Sequence, residues 1–245
     1  MQIQDKCILV TGAARRVGRV IALHLAAAGA EIALHYNLSR VEAETTARDI
    51  EKLGGRAETF QCNLREVSSI QNMVDQVYSR FGQIDVLVNN AAVFFKTPFD
   101  TVSEPDWDLT IESNLKGPFF LSLFVGRRML QSGHEGRIIN IADWAGERPY
   151  VNYIPYCISK AGVIALTKGL AKTLAPRINV MAIAPGPVLW PDDLSEQELQ
   201  SVLQKTPLRR LGTPEDVARA VAFIIEGGDY MTGTLIYVDG GRLVY

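Results

Sequence analysis

Cys7-Ile8-Leu9-Val10 is a continuous apolar run, and after it the period changes. Val17, Val20, Ile21 and Leu25 fall at the three-to-four spacing of one helix face, which ends at Gly29. The pattern predicts a strand over 6–10 followed by a helix. The same alternation then recurs along the chain. Strands are predicted over 30–35, 57–61, 86–89, 137–141, 178–183 and 235–238. Helices are predicted between them. One covers 40–53 and closes at Gly54-Gly55, and another covers 68–81 with Ile70, Met73, Val74 and Val77 inward. Ser103-Glu104-Pro105 places a cap before a first-turn proline and opens one long helix over 104–131. A further helix is predicted over 153–175, and Thr213-Pro214-Glu215-Asp216 caps the last one.

Strands this apolar are buried on both faces, and regular β-α alternation places the covering helices there. With right-handed crossovers the prediction is α/β: a doubly wound, Rossmann-type parallel sheet with its ligand at the carboxyl ends of the strands. The chain has 245 residues, enough for one such domain with a substantial core, and no linker, repeat or low-complexity stretch divides it. Hydrophobic residues make up 47% and the formal net charge is −2, which points to neither nucleic acid nor an anionic membrane as partner. No apolar run approaches the ~20 residues of a membrane span. Met1 to Lys6 is polar with no signal peptide visible, so the expected compartment is the cytoplasm. Cys7, Cys62 and Cys157 are spaced for neither a zinc site nor a disulfide framework, and no metal is expected.

Candidate chemistry begins at the first strand-helix turn, Thr11-Gly12-Ala13-Ala14-Arg15-Arg16-Val17-Gly18. Such a turn aims backbone N–H groups and a helix N-terminus at a pyrophosphate. Gly12 permits the tight turn, and Gly18 allows close helix–strand packing. After the second strand, His35-Tyr36-Asn37-Leu38-Ser39-Arg40 has no acid until Glu42. A carboxylate there would bind the ribose hydroxyl of NAD and repel a 2′-phosphate. Arg15, Ser39 and Arg40 instead offer positive charge and a hydroxyl to that phosphate, so the expected cofactor is NADPH. His24, His35 and His134 have no partner pattern that suggests catalysis.

Tyr156 and Lys160 stand four apart on one helix face. A lysine ammonium beside a phenol is expected to lower the tyrosine pKa and make it a usable proton donor. Asp143 lies thirteen residues upstream of Tyr156. Ketone reduction develops negative charge on oxygen, which an ionised carboxylate opposes. Reduction of a ring C=N differs, because neighbouring ring N–H and amino groups donate to a carboxylate.

Together these residues resemble the short-chain dehydrogenase/reductase family. The matching positions are the Thr11-Gly12 to Gly18 turn, Asn89-Asn90-Ala91, Asn114, Tyr156 with Lys160, Pro185-Gly186 and Val238-Asp239-Gly240-Gly241, in the family's order over nearly the whole chain. The resemblance implies cofactor contacts from Tyr36, Asn63, Asn90, Ala91, Pro185 and Gly186. It also implies that Lys160 holds the nicotinamide ribose and that Asn114 supports a water-linked proton path. Three departures resemble the pteridine reductase branch: Arg16 where the turn usually holds a glycine, Asp143 where the family keeps a serine, and Phe94 after Asn89-Asn90-Ala91-Ala92-Val93.

That branch implies a pterin-like ring sandwiched between Phe94 and the nicotinamide. Arg16 would touch both pyrophosphate and ring, and Asp143 with Tyr156 would manage protons. The bland uses stay open: Phe94, Phe95 and Trp144 as packing, Arg16 as a phosphate contact alone, Asp143 as a protonated stand-in for the serine. An NADPH-dependent short-chain carbonyl reductase, such as one acting on 3-oxoacyl thioesters, is the alternative reading, and a non-catalytic NADP-binding regulator is a third, disfavoured by Tyr156 and Lys160. Family members commonly form tetramers. Leu115, Phe119 and Leu123 of the long helix, with the ending Leu243-Val244-Tyr245, would suit a homotetramer.

Overall fold

Alternate side chains of the first strand enter two different cores: Ile8 and Val10 face one, Cys7 and Leu9 the other. Both faces must therefore be covered. The computed structural model describes residues 1–189 and 195–244. Among them, seven parallel strands form one sheet in the order β3-β2-β1-β4-β5-β6-β7. The strands are β1 (Cys7–Val10), β2 (Glu31–Tyr36), β3 (Arg56–Gln61), β4 (Val86–Asn89), β5 (Gly136–Ile141), β6 (Ile178–Pro185) and β7 (Leu235–Val238). One face carries α1 (Arg16–Ala27), α2 (Arg40–Lys52) and α8 (Pro214–Gly227), which bury Ile21, Leu25, Ile50, Val221 and Ile224. The other carries α3 (Val67–Phe81), α5 (Gly117–Ser132) and α6 (Ile154–Leu174), with Ile70, Val77, Leu121, Val125 and Leu174 inward.

The predicted helix over 104–131 is not one regular helix. It consists of α4 (Glu104–Ile111), a π-helical turn over Glu112–Lys116, and α5. Pro118 has no N–H to close on the carbonyl of Asn114, so the turn widens there. Ser103 caps α4 in a full capping box with Asp106, and Thr213 caps α8 with Asp216 in the same way. Helix α7 (Glu196–Gln204) was not among the predicted elements. The strand order reverses between β1 and β4, which opens a crevice at their carboxyl ends. Every candidate residue lies at that edge or on the helices behind it.

Candidate active site

The turn after β1 is built against the end of β4. Thr11 Oγ1 accepts from the N–H groups of Asn90 (2.9 Å) and Ala91 (3.0 Å), and Asn90 Nδ2 donates to the carbonyls of Thr11 (2.8 Å) and Gly12 (3.3 Å). Gly12 takes φ +63°. A Cβ on Gly18 would lie 2.2 Å from the Gly12 carbonyl oxygen and 2.5 Å from Asn90 Nδ2, so only glycine lets α1 approach this closely. No side chain caps the start of α1. Its first N–H groups therefore remain for a ligand.

Arg15 and Arg16 are exposed beside them and make no ion pair among the described residues. Arg16 holds φ +55°. The backbone conformation that a glycine would supply is present, with a guanidinium attached. This cradle, with unpaired cations and a close approach that a Cβ would block, fits a dinucleotide pyrophosphate.

Tyr36 ends β2, and Ser39 and Arg40 start α2 beside it. Arg40 is exposed and its Nε donates to Glu44 at 2.7 Å, so the cation expected to meet a 2′-phosphate is held by its own helix. Asn63 follows β3; its Nδ2 donates to Glu66 at 2.7 Å and its Oδ1 accepts from Arg65 N. Pro185 ends β6, and Gly186 N donates to the Val238 carbonyl at 2.9 Å.

The reacting end is assembled by β5, the loop after β4, and α6. Tyr156 Oη donates to Asp143 Oδ2 at 2.7 Å, and Asp143 Oδ1 accepts from Ala145 N at 2.8 Å. Lys160 Nζ donates to the Ile141 carbonyl at 2.8 Å and sits 5.7 Å from the Tyr156 ring centre. Burial raises the Asp143 pKa, with the Ala145 N–H, the Tyr156 hydroxyl and Lys160 pulling it back. Burial lowers Lys160 to about 8, against the pull of Asp143.

The expected effect of Lys160 on Tyr156 is overturned. Burial, and next the charge and acceptor oxygen of Asp143, hold Tyr156 well above the ordinary phenol value. The ammonium is turned toward a backbone carbonyl, while the carboxylate contacts the hydroxyl directly. Tyr156 is a protonated phenol, and its proton lies on the bond to Asp143.

Phe94 is half-exposed. It stacks on Tyr153 at 4.6 Å with an interplanar angle of 8°, and meets the Tyr156 ring edge-on at 4.7 Å. Asn114 Oδ1 accepts from Val93 N (2.8 Å), and its Nδ2 donates to the Val93 carbonyl (3.0 Å) and Ser159 Oγ (3.2 Å). Ser159 in turn donates to the Tyr156 carbonyl at 2.6 Å. The side chain of Asn114 thus clamps the residue before Phe94 and links it to the catalytic helix. Trp144 is buried and packs edge-on against Tyr150 at 5.0 Å, with the Arg242 guanidinium 5.4 Å from its ring centre.

Sequence reasoning missed Tyr153, Ser159 and His35. Tyr153 begins the tyrosine-lysine helix, and its spacing of three from Tyr156 was the available signal. His35 had none in any motif. Residues 190–194 lie outside the described residues, as does Tyr245 of the ending expected to suit a homotetramer.

A family model described as enoyl-(acyl carrier protein) reductase matches residues 12–242. The 3-oxoacyl-(acyl-carrier-protein) reductase of Staphylococcus epidermidis is 38% identical over 97% of this chain and 98% of its own. A solved 7α-hydroxysteroid dehydrogenase, complexed with NADH and a 7-oxo bile acid, superposes with TM-score 0.93 at 32% identity, covering 98% and 95% of the two chains. A variant of actinorhodin polyketide ketoreductase with NADPH gives 0.91 at 31% identity, covering 98% of each. These relatives are ketone or alcohol enzymes by name, and they correspond to the alternative reading rather than to the pteridine reductase branch. The chain belongs to the short-chain dehydrogenase/reductase family of oxidoreductases.

Proposed function

We propose that this chain is an NADPH-dependent reductase that adds hydride and a proton across the C=N bond of a flat nitrogen heterocycle of the dihydropteridine type. One observation carries this reading: where a ketone reductase needs a neutral hydrogen-bond donor, Asp143 stands 2.7 Å from the hydroxyl of Tyr156. NADPH, when bound, supplies the hydride. The turn from Gly12 to Gly18, with Asn90 and Ala91 behind it, would hold the pyrophosphate. Arg15, Ser39 and Arg40 would meet the 2′-phosphate, with Tyr36 and Asn63 at the adenosine end. Pro185 and Gly186 would flank the nicotinamide, and Lys160 would hold its ribose.

The remaining steps belong to this chain's own side chains. Asp143 accepts from ring N–H and amino groups and so orients the ring, for which a carboxylate is the suitable partner. Tyr156 delivers its proton to the ring nitrogen as the C=N carbon is reduced. Phe94, stacked on Tyr153 by one face, would bring its exposed part to the ring, and Arg16 would meet the polar edge of the ring as well as the phosphates. Asn114 fixes the Val93-Phe94 segment and supports proton supply behind Lys160.

A second reading, reduction of 3-oxoacyl thioesters, is favoured by the 38% identity to the S. epidermidis reductase. By their names the relatives favour the ketone; by its residues this site favours the ring. The two are separated by following NADPH oxidation with dihydrobiopterin or dihydrofolate against an acetoacetyl thioester. Pteridine turnover with little thioester reduction supports the first reading, and robust thioester reduction without pteridine turnover establishes the second. We further propose a cytoplasmic homotetramer acting as one catalytic domain per chain. No helix among the described residues is long and apolar enough to cross a membrane. Phe119, Ile154 and Ile158 leave apolar surface exposed on α5 and α6.

A further inference from the structure

His35 lies in β2 at 2% exposure, and both ring nitrogens are engaged. Nδ1 is 3.1 Å from Gly12 N, and Nε2 is 3.0 Å from the Cys62 carbonyl oxygen. A backbone N–H only donates and a carbonyl only accepts. The ring is therefore neutral, with its proton on Nε2 and a lone pair on Nδ1. The main chain repeats the link, since Ala13 N donates to the His35 carbonyl at 3.0 Å and Cys62 N to the Tyr36 carbonyl at 3.0 Å.

One imidazole thus spans two corners of the crevice: the turn after β1, and the Cys62-Asn63 corner after β3. It accepts the N–H of Gly12, the residue at φ +63°, while the next N–H, of Ala13, goes to the His35 carbonyl. We infer that His35 is a positioning residue for the dinucleotide: its Nδ1 lone pair sets the phosphate turn through Gly12 N, the Cys62 carbonyl fixes the tautomer that leaves the lone pair there, and the ring does not touch the reacting atoms. The inference rests on the dinucleotide reading of the crevice and is indifferent to which substrate is reduced.

The two ring bonds can be removed separately. In His35→Asn, Oδ1 takes the place of Nδ1 and still accepts from Gly12, but the side chain is too short for Cys62. In His35→Gln, the amide nitrogen reaches Cys62 and the acceptor for Gly12 is lost. His35→Leu removes both.

The experiment measures Kd for NADPH by cofactor fluorescence, and KM and kcat at saturating substrate. Loss of a buried acceptor is expected to weaken NADPH binding about tenfold or more in the Gln and Leu variants, while Asn stays within about threefold of the unmodified protein. Because the reacting end is untouched, kcat at saturating NADPH is expected to hold, so the loss enters KM. If the Leu variant fails to fold, as judged by circular dichroism, the near-isosteric Asn and Gln pair carries the comparison. A Gln variant that binds NADPH like the unmodified protein, an Asn variant as weak as Gln, or a fall in kcat equal to the rise in KM overturns the proposal alone. An unmodified protein that binds neither NADPH nor NADH overturns the dinucleotide reading and this proposal with it.

Discussion

Replacing Asp143 by serine should move the two candidate reactions in opposite directions. A ketone oxygen accepting from Tyr156 Oη takes the single hydroxyl proton away from Asp143 Oδ2, which stands 2.7 Å from that oxygen. Two oxygens that both lie at hydrogen-bond distance from one hydroxyl oxygen are about 4 Å apart. At an effective dielectric near 20, a carboxylate opposes a developing oxyanion at that distance by about 4 kcal/mol, roughly a thousandfold in rate. Partial exposure of the group and the upward pKa shift from burial reduce this penalty. Thioester reduction should still rise at least about tenfold in Asp143→Ser, which also restores a neutral donor.

On a nitrogen heterocycle the change removes a charge-assisted acceptor worth about 1.5–3 kcal/mol, so kcat/KM should fall by roughly ten- to a hundredfold. Asp143→Asn removes the charge but keeps one acceptor oxygen, and should fall between. The assay is steady-state NADPH oxidation with dihydrobiopterin and with acetoacetyl thioester, together with Kd for NADPH, which should stay constant because Asp143 lies away from the residues proposed to hold the adenosine. The charge argument fails if both substrates shift in the same direction by the same factor.

His35 should also be visible in acid stability. Burial holds its folded pKa near 4, against the ordinary 6.5, so the neutral form belongs to the folded state. As pH falls below about 6.5 the unfolded chain takes up a proton that the folded chain refuses until about pH 4, at a cost of up to about 3 kcal/mol. Chemical denaturation from pH 7 to pH 4 should show that loss, and His35→Asn should remove this part of it. Arg16→Gly relieves a left-handed arginine and should stabilise the fold by about 1 kcal/mol in a thermal melt while weakening NADPH binding in fluorescence titration. Arg40→Asp should narrow or reverse the NADPH-over-NADH preference, and equal affinities in the unmodified protein would remove that reading. Light scattering should give a mass above that of a single chain, and a strictly monomeric mass would count against the tetramer.

Much of the fold was written in periodicity, because a strand buried on both faces and a helix buried on one leave different apolar spacings. The runs at 7–10 and 86–89, the Ile70-Met73-Val74-Val77 stripe and the two capping boxes each fixed a local element without help from distant residues. The π-helical turn was invisible, since Pro118 is equally at home in a helix's first turn and its effect depends on the preceding helix continuing into it. Tyr156, Lys160, Asn90 and Gly18 were legible because their spacing is short and tied to a strand-helix junction.

Their electrostatics were not. Four residues' separation suggests that Lys160 governs Tyr156, yet the ammonium donates to the Ile141 carbonyl and a partly buried carboxylate from a different segment takes the hydroxyl. His35 shows the same limit more sharply, as one histidine in a strand joined to residues 23 and 27 positions away. Sequence spacing reports what lies on one helix face or strand. Which charge is desolvated, and which donor meets which acceptor across the sheet, is decided only when distant segments share one low-dielectric volume.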